Sequence, residues 1–179
     1  MKKKQALAHQ ELPKAFIFDF DGTLCDVRGI LQYIDRSDKY LSAFHEATHT
    51  APENKIVFAL LEQVIAAGIT PILISVRGER WRSLTEEWLG NRNFTPEVFH
   101  MRDDEDLRTG AEVKRDILRG LTREWNIVGA IDDDPKVAEM WESEGVPTIF
   151  VPGYNGTDDP STLTIPEWWS TTIVATASV

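Results

Sequence analysis

Ala15-Phe16-Ile17-Phe18-Asp19-Phe20-Asp21-Gly22-Thr23-Leu24 begins as an apolar run and ends in two carboxylates and a glycine turn. Four apolar residues bounded by such a turn read as a strand covered on both faces, the kind found in parallel sheets. Asp19 and Asp21 are two residues apart, so in an extended strand their side chains share a face while Phe20 turns away. Two anions held ~4 Å apart repel by roughly 4 kcal/mol at an effective dielectric of ~20. A fold that keeps them neutralises them with a cation or a shared proton. The plainer reading is an Asp-Gly turn that merely ends a strand, and the rest of the chain has to decide against it.

Outward from that stretch, strand and helix patterns alternate, as in a parallel α/β sheet. The pattern predicts strands at 15–20, 70–75, 97–101, 127–131 and 147–151. Between 54 and 67, Ile56, Val57, Leu60, Leu61, Val64 and Ile65 recur at helical spacing, and Gly68 serves as the C-terminal stop. Trp81, Leu84 and Trp88 mark a helix over 79–89, and Val113, Ile117, Leu118 and Leu121 one over 111–122. A fourth, over 135–144, opens with Pro135 in its first turn. Residues 25–52 break this rhythm, with a short helix expected near 39–47. An insertion directly after the first strand lies over the strand ends, where ligands of open α/β sheets bind, and is read as a flap or minimal cap. His45 and His49, at i and i+4 within it, resemble half of a zinc site, but no further His or Cys stands nearby. They are read as surface or lid-packing residues.

The chain of 179 residues fits one domain. Residues 1–14 are expected to form a flexible arm, 15–152 the catalytic body, and 153–179 a tail docked through Trp168-Trp169. Met1-Lys2-Lys3-Lys4 resembles the start of a secretion signal, but no apolar segment follows before Lys14. No run is apolar enough to span a bilayer. The single cysteine, Cys25, fits a reducing cytoplasm and is read as a packing residue. A net charge of −10 opposes broad binding to nucleic acid but leaves room for a local basic pocket.

Three more segments end where chemistry is possible. Ile72-Leu73-Ile74 ends in Ser75, followed by Val76, Arg77 and Gly78; Ile127-Val128-Gly129-Ala130-Ile131 ends in Asp132-Asp133-Asp134-Pro135; Lys114 sits in the helix between them. Parallel strands place their C-terminal ends along one edge, so Asp19, Asp21, Ser75 and Asp132/Asp133 converge there. Several hard oxygen ligands beside a hydroxyl and one or two cations suit Mg²⁺ and a phosphoryl group. Ser75, nearby amides and Lys114 would then neutralise the transferring group. Asp19 is the candidate nucleophile, giving an aspartyl-phosphate, and Asp21 the candidate acid and base.

Asp19-Phe20-Asp21-Gly22-Thr23-Leu24, Ser75, Lys114 and Asp132-Asp133 resemble the four motifs of the haloacid dehalogenase superfamily of phosphatases. The resemblance spans roughly 15–151. It implies a three-layer Rossmann-like core, Mg²⁺, the roles just given to Asp19 and Asp21, and a metal site completed by Asp132 or Asp133 with the Asp21 carbonyl. Within that superfamily, Ser75-Val76-Arg77-Gly78-Glu79-Arg80-Trp81, Thr85, Trp88, Glu112 to Ile117, Val137 and Met140-Trp141 resemble phage-type polynucleotide kinase 3′-phosphatase domains. That likeness implies Arg77 as a phosphate or substrate contact, Arg28 as a shifted match to a basic residue after the first motif, and Gly22, Thr23 and Val76 as neighbours of the substrate. The acidic residue that the family carries shortly before its lysine is replaced near Gly110-Ala111, and Asp103-Asp104-Glu105-Asp106 is read as a solvated loop. No Gly-x-x-x-x-Gly-Lys-Ser/Thr run occurs, so no kinase half is expected within these residues. The expected substrate is a phosphorylated DNA or RNA 3′ end. A phosphatase of small nucleotides or metabolites is the alternative, and the acidic composition suits it. A receiver-type phospho-acceptor fits poorly, because there the acidic pair comes early and the acceptor Asp later.

Overall fold

Alternating strand and helix segments build a five-stranded, wholly parallel sheet, the expected α/β architecture. The computed structural model describes residues 11–153 and 158–173. Strands β1 (Lys14–Phe18), β2 (Thr70–Gly78), β3 (Val98–Arg102), β4 (Asn126–Asp132) and β5 (Thr148–Phe150) stand in the order β3-β2-β1-β4-β5. The helices are α1 (Ser42–Ala47), α2 (Lys55–Ala66), α3 (Arg82–Gly90), α4 (Gly110–Leu121), α5 (Pro135–Ser143) and α6 (Glu167–Thr172).

Side-chain alternation along β1 sorts the core into two layers. Phe16 and Phe18 face Val57, Leu61, Trp88 and Trp169 on the side of α2, α3 and α6. Ala15 and Ile17 face Leu118, Leu121, Val137 and Trp141 on the side of α4 and α5. The sheet between them makes the third layer. Burying each of these large side chains stabilises the fold by ~1.5–3 kcal/mol before entropy is counted.

Local signals explain the helix ends. Thr109 caps α4 in a reciprocal capping box with Glu112, and the Asp134 carboxylate caps α5 by accepting from Lys136 N at 2.8 Å. Gly68 stops α2 at φ +68°; its N–H bonds Ile65 O and that of Ile69 bonds Val64 O, the paired bonds of a Schellman end. Within α2 the buried stripe is Val57, Leu60, Leu61 and Val64. Ile56 and Ile65 stand roughly 90° to either side of its centre, and Ile65 is exposed, so the inward face is narrower than its apolar run.

Other boundaries also shift. Lys14 already belongs to β1, which ends at Phe18 rather than 20, while β2 runs on to Gly78. Residues 1–10 of the expected arm, and 154–157 and 174–179 of the expected tail, lie outside the described residues. The described tail does dock: Trp169 is buried edge-on against Phe16 with ring centroids 5.5 Å apart, and its indole N–H bonds Gln63 Oε1 at 3.0 Å.

The 25–52 insertion leaves from the end of β1 and returns beside it, closed at its base by Cys25, which bridges both Asp21 and Glu53. It contains a 3₁₀ turn at Arg28–Tyr33, α1, and a second 3₁₀ turn at Thr48–Thr50. Cys25 is wholly buried, and burial pushes its thiol far up, as suits a packing residue. No helix among the described residues is long and apolar enough to cross a membrane.

Candidate active site

The strand ends meet at a cleft of about 390 Å³ roofed by the insertion. Asp19 follows Ile17 on the α4/α5 side of the sheet, and its N–H still bonds Ile131 O at 3.1 Å, as in the ladder. That placement turns its carboxylate toward Lys114, which α4 projects inward. Lys114 Nζ donates to Asp19 Oδ1 at 2.6 Å and to Asp132 Oδ2 at 2.7 Å. All three side chains are buried. Trp141 Nε1 adds a donor to Asp132 Oδ2 at 3.1 Å, and the backbone N–H of Asp134 bonds Asp132 Oδ1 at 3.2 Å. Asp133 accepts no hydrogen bond among the described residues.

Asp21 does not share Asp19's face, contrary to the reading from their spacing. The strand stops at Phe18, and the chain curls through Thr23 and Cys25, whose N–H groups both bond Phe20 O, and through Gly22 at φ +83°. The strand alternation that put both carboxylates on one side no longer applies there. Asp21 instead meets Arg77: Nε to Oδ2 at 3.1 Å and Nη2 to Oδ1 at 2.5 Å. Each member of the opening pair therefore has a cation of its own, and both carboxylates reach the same cleft.

The crowding of carboxylates lies elsewhere than expected. Oxygens of Asp19, Asp132 and Asp133 fall within 4.8 Å of one another, all three residues buried, against the single ammonium of Lys114. Burial first, then the charges of Asp132 and Asp21, push the Asp19 carboxyl up to about 7 against the pull of Lys114. Burial and the charges of Asp19 and Asp132 push Asp133 well above the usual range. Burial acts to lower Lys114, but Asp132 and Asp19 outweigh it and hold the ammonium above its ordinary pKa. Three hard oxygen donors with unbalanced charge fit a divalent cation.

Other expected site residues divide. Ser75 and Val76 line the cleft, and Ser75 Oγ accepts the backbone N–H of Arg77 at 3.2 Å. Arg77 also lines it, but its Nε/Nη2 fork is spent on Asp21, so in this state the fork is not open to a phosphate. Gly22 and Thr23 sit beneath the site rather than on the cleft wall; Thr23 is wholly buried with Oγ1 unpartnered. Arg28 lies in the 3₁₀ turn, exposed, forked onto Asp26 at 2.8–3.2 Å and reaching Asp159 at 3.5 Å; it is not part of the cleft wall. Its own neighbour Asp26 captures it.

His45 is buried in the cleft wall, whereas His49 is exposed, so the two do not face together. Burial outweighs the charge of Asp21 and lowers His45 to about 4, leaving a neutral imidazole near neutral pH. Residues 103–106 form a loop with Asp103 and Glu105 exposed, as expected, but Asp104 and Asp106 also line the cleft, paired with Arg80 and Arg108. Trp81 precedes α3 in a 3₁₀ turn, and this change of helical phase puts it on the cleft wall while Trp88 fills the core. Buried atoms without partners recur along that wall: His45 Nδ1, Trp81 Nε1 and Arg102 Nε. The roles of Trp141 and of the Arg77 fork were missed by sequence reasoning; the only signal was that Met140-Trp141 and Arg77 lay within the resembling segments.

A family model for the polynucleotide kinase PNKP phosphatase domain matches residues 13–153. The chain belongs to that family. It is a phosphatase of haloacid dehalogenase type. A chain of the Pnkp1/Rnl/Hen1 RNA repair complex is 26% identical, the match covering 84% of this chain and 47% of that one, with a TM-score of 0.66. A chain of a second Pnkp1/Rnl/Hen1 complex is also 26% identical, over 84% and 51%, with a TM-score of 0.68. This chain spans about half the length of those relatives. The class C acid phosphatase from Bacillus anthracis, 15% identical over 86% of this chain and 77% of its own, shares the fold at a TM-score of 0.59.

Proposed function

We propose that this phosphatase removes 3′-phosphates from polynucleotide ends in a Mg²⁺-dependent reaction, with residues 15–152 as the catalytic body. The observation that carries the reading is the arrangement of two separately paired carboxylates at one cleft, Asp19 with Lys114 and Asp21 with Arg77. An Asp19 oxygen attacks phosphorus, the ester P–O bond breaks, and Asp21 gives its proton to the leaving oxygen. Water then attacks the phosphorus of the aspartyl-phosphate, Asp21 takes a proton from it, and inorganic phosphate leaves with Asp19 restored. Lys114 and Ser75 hold the phosphoryl oxygens. Asp132 has both oxygens engaged within the protein and orients Lys114, which leaves Asp19 and Asp133 as the side chains that would hold Mg²⁺. The ion supplies neutralisation of the charge gathered on the phosphoryl group.

The cleft mouth supports a nucleic-acid end. Trp81 lines it with a partly exposed ring and Arg36 with an exposed guanidinium, while Lys39 and Arg80, paired with Glu105 and Asp104, lie over the Tyr40 ring as a cation–aromatic stack that a base or phosphate can join. One strand end needs far less basic surface than a groove binder, which fits a net charge of −10. That same acidity favours the second reading, hydrolysis of small nucleotides. Turnover of a 3′-phosphorylated oligonucleotide beside a panel of nucleoside monophosphates separates the two. The oligonucleotide is expected to be preferred at least tenfold in kcat/KM; preference for the monophosphates would select the second reading. Chelation by EDTA is expected to abolish turnover, and Mg²⁺ to restore it.

Gly22 offers a further test. A Cβ there would lie 1.9 Å from Asp133 Oδ2, and the φ of +83° is strained for any L side chain. Gly22→Ala should cost about 1–2 kcal/mol of stability from the left-handed backbone alone, with the contact to Asp133 in addition. It should also displace Asp133, raising the Mg²⁺ concentration needed for half-maximal activity several-fold. A Mg²⁺ titration matching that of the unaltered enzyme would remove Asp133 from the metal site.

A further inference from the structure

Arg77 is bound on every side. Its side chain has no exposed surface, and its guanidinium carbon lies 4.7 Å from the centre of the Phe20 ring. While the Nε/Nη2 fork holds Asp21, Nη1 donates to Thr48 Oγ1 at 3.2 Å and to Thr85 Oγ1 at 3.1 Å. Each threonine then donates its own proton to a backbone carbonyl, Thr48 to His45 O at 2.6 Å and Thr85 to Trp81 O at 2.9 Å. With the proton committed there, the lone pairs of both hydroxyls face Arg77. Thr48 belongs to the cap insertion and Thr85 to α3, on opposite sides of the guanidinium in the chain.

A bidentate fork fixes the plane of the carboxylate it holds, and two acceptors on the third nitrogen fix the plane of the fork. We propose that Thr48 and Thr85 are positioning residues for proton transfer: acting through Arg77, they set the orientation of the Asp21 carboxylate, so that seating of the cap is registered at the acid/base. The inference rests on the acid/base role given to Asp21 above. It assigns no contact between either threonine and the substrate. Their effect is confined to the steps in which Asp21 moves a proton.

Proton donation matters most when the leaving oxygen is basic, so the test is a series of phosphate monoesters from aryl to alkyl leaving groups. The enzymes are wild type, Asp21→Asn, Thr48→Val, Thr85→Val and the double valine variant, all with Mg²⁺. The valines keep the threonine shape and remove the acceptor. The double variant is expected to lose about tenfold more kcat on alkyl than on aryl phosphates, and each single variant about threefold more. Thr48→Ser and Thr85→Ser, which return the hydroxyl, should recover most of that difference. Equal losses across the series in the valine variants, beside a leaving-group-dependent loss in Asp21→Asn, would overturn the inference and leave the acid role intact. Equal losses in Asp21→Asn itself would sink the acid role instead. Thermal melting identifies any variant that does not fold; Thr48→Ala and Thr85→Ala then take its place on the same series, read against the same outcomes.

Discussion

Asp19→Asn is expected to abolish phosphatase activity, by at least about 10³-fold in kcat, while leaving the fold as stable as before or more so. The two effects come from the same oxygen atoms. Asparagine removes the nucleophile, yet its carbonyl oxygen can still accept from Lys114, so the 2.6 Å bond retains a partner. Asp19 also sits within 4.8 Å of two other buried carboxylates, and its carboxyl is raised from 3.8 to about 7. A carboxyl raised in the folded state binds a proton there that the unfolded chain has already lost. Between pH 4 and 7, therefore, the stability of the metal-free protein falls as pH rises, by an amount on the order of a few kcal/mol. Asparagine carries no such penalty. In EDTA at pH 8 the variant should melt at or above the wild-type temperature, and at pH 5 the two should converge. Turnover within tenfold of wild type would remove Asp19 as the nucleophile, and a variant melting well below wild type at pH 8 would contradict the crowding of charge.

The sequence made the architecture legible because its signals are periodic and local. Apolar runs of strand length, the glycine stop at the end of α2, and Pro135 in the first turn of α5 are each written in a few adjacent residues. The members of the site were legible too, since parallel strands bring their C-terminal ends to one edge whatever the loops do. What the sequence could not carry was which partner each charged group takes. Asp19 and Asp21 look like one crowded pair only while the strand is assumed to continue. Two backbone bonds to Phe20 O end it, and each carboxylate then meets a cation 56 or more residues away. Arg28 illustrates the opposite failure: the family resemblance, matched only with a shift in spacing, implied a substrate contact, but Asp26, two residues before it, is the nearer anion. Pairings across long separations depend on the exact ends of strands and on the phase of a single 3₁₀ turn, and neither has a dependable mark in composition or periodicity.

The cation at the centre carries the second large effect. Lys114→Met is expected to lower stability by ~3–5 kcal/mol in metal-free protein at pH 8, because it strands buried carboxylates beside one another. For a domain of this length that is a fall in melting temperature of roughly 6–20 °C. Lys114 is the one side-chain cation that Asp19 touches among the described residues, and it also holds Asp132, which Trp141 fixes from the other side. Its raised pKa keeps it charged throughout the working range, so the variant's deficit follows the carboxylates rather than the lysine. Protonated carboxyls need no cation, so the difference from wild type should shrink as pH is lowered to 5. Millimolar Mg²⁺ should recover part of it at pH 8 by supplying positive charge to the same cluster. Turnover should remain depressed by about 10²–10³-fold even at saturating Mg²⁺, since the charge that Lys114 gives to the transferring phosphoryl group is not replaced by a metal bound on the carboxylate side. Arginine is not expected to substitute, because its planar fork has no room in a pocket where Lys114 is 2% exposed. A methionine variant that melts with wild type in EDTA at pH 8 would show that the three carboxylates are not held together by Lys114. The cluster would then be held by a shared proton, and the fall of stability with pH described for Asp19 would continue beyond pH 7 instead of ending there.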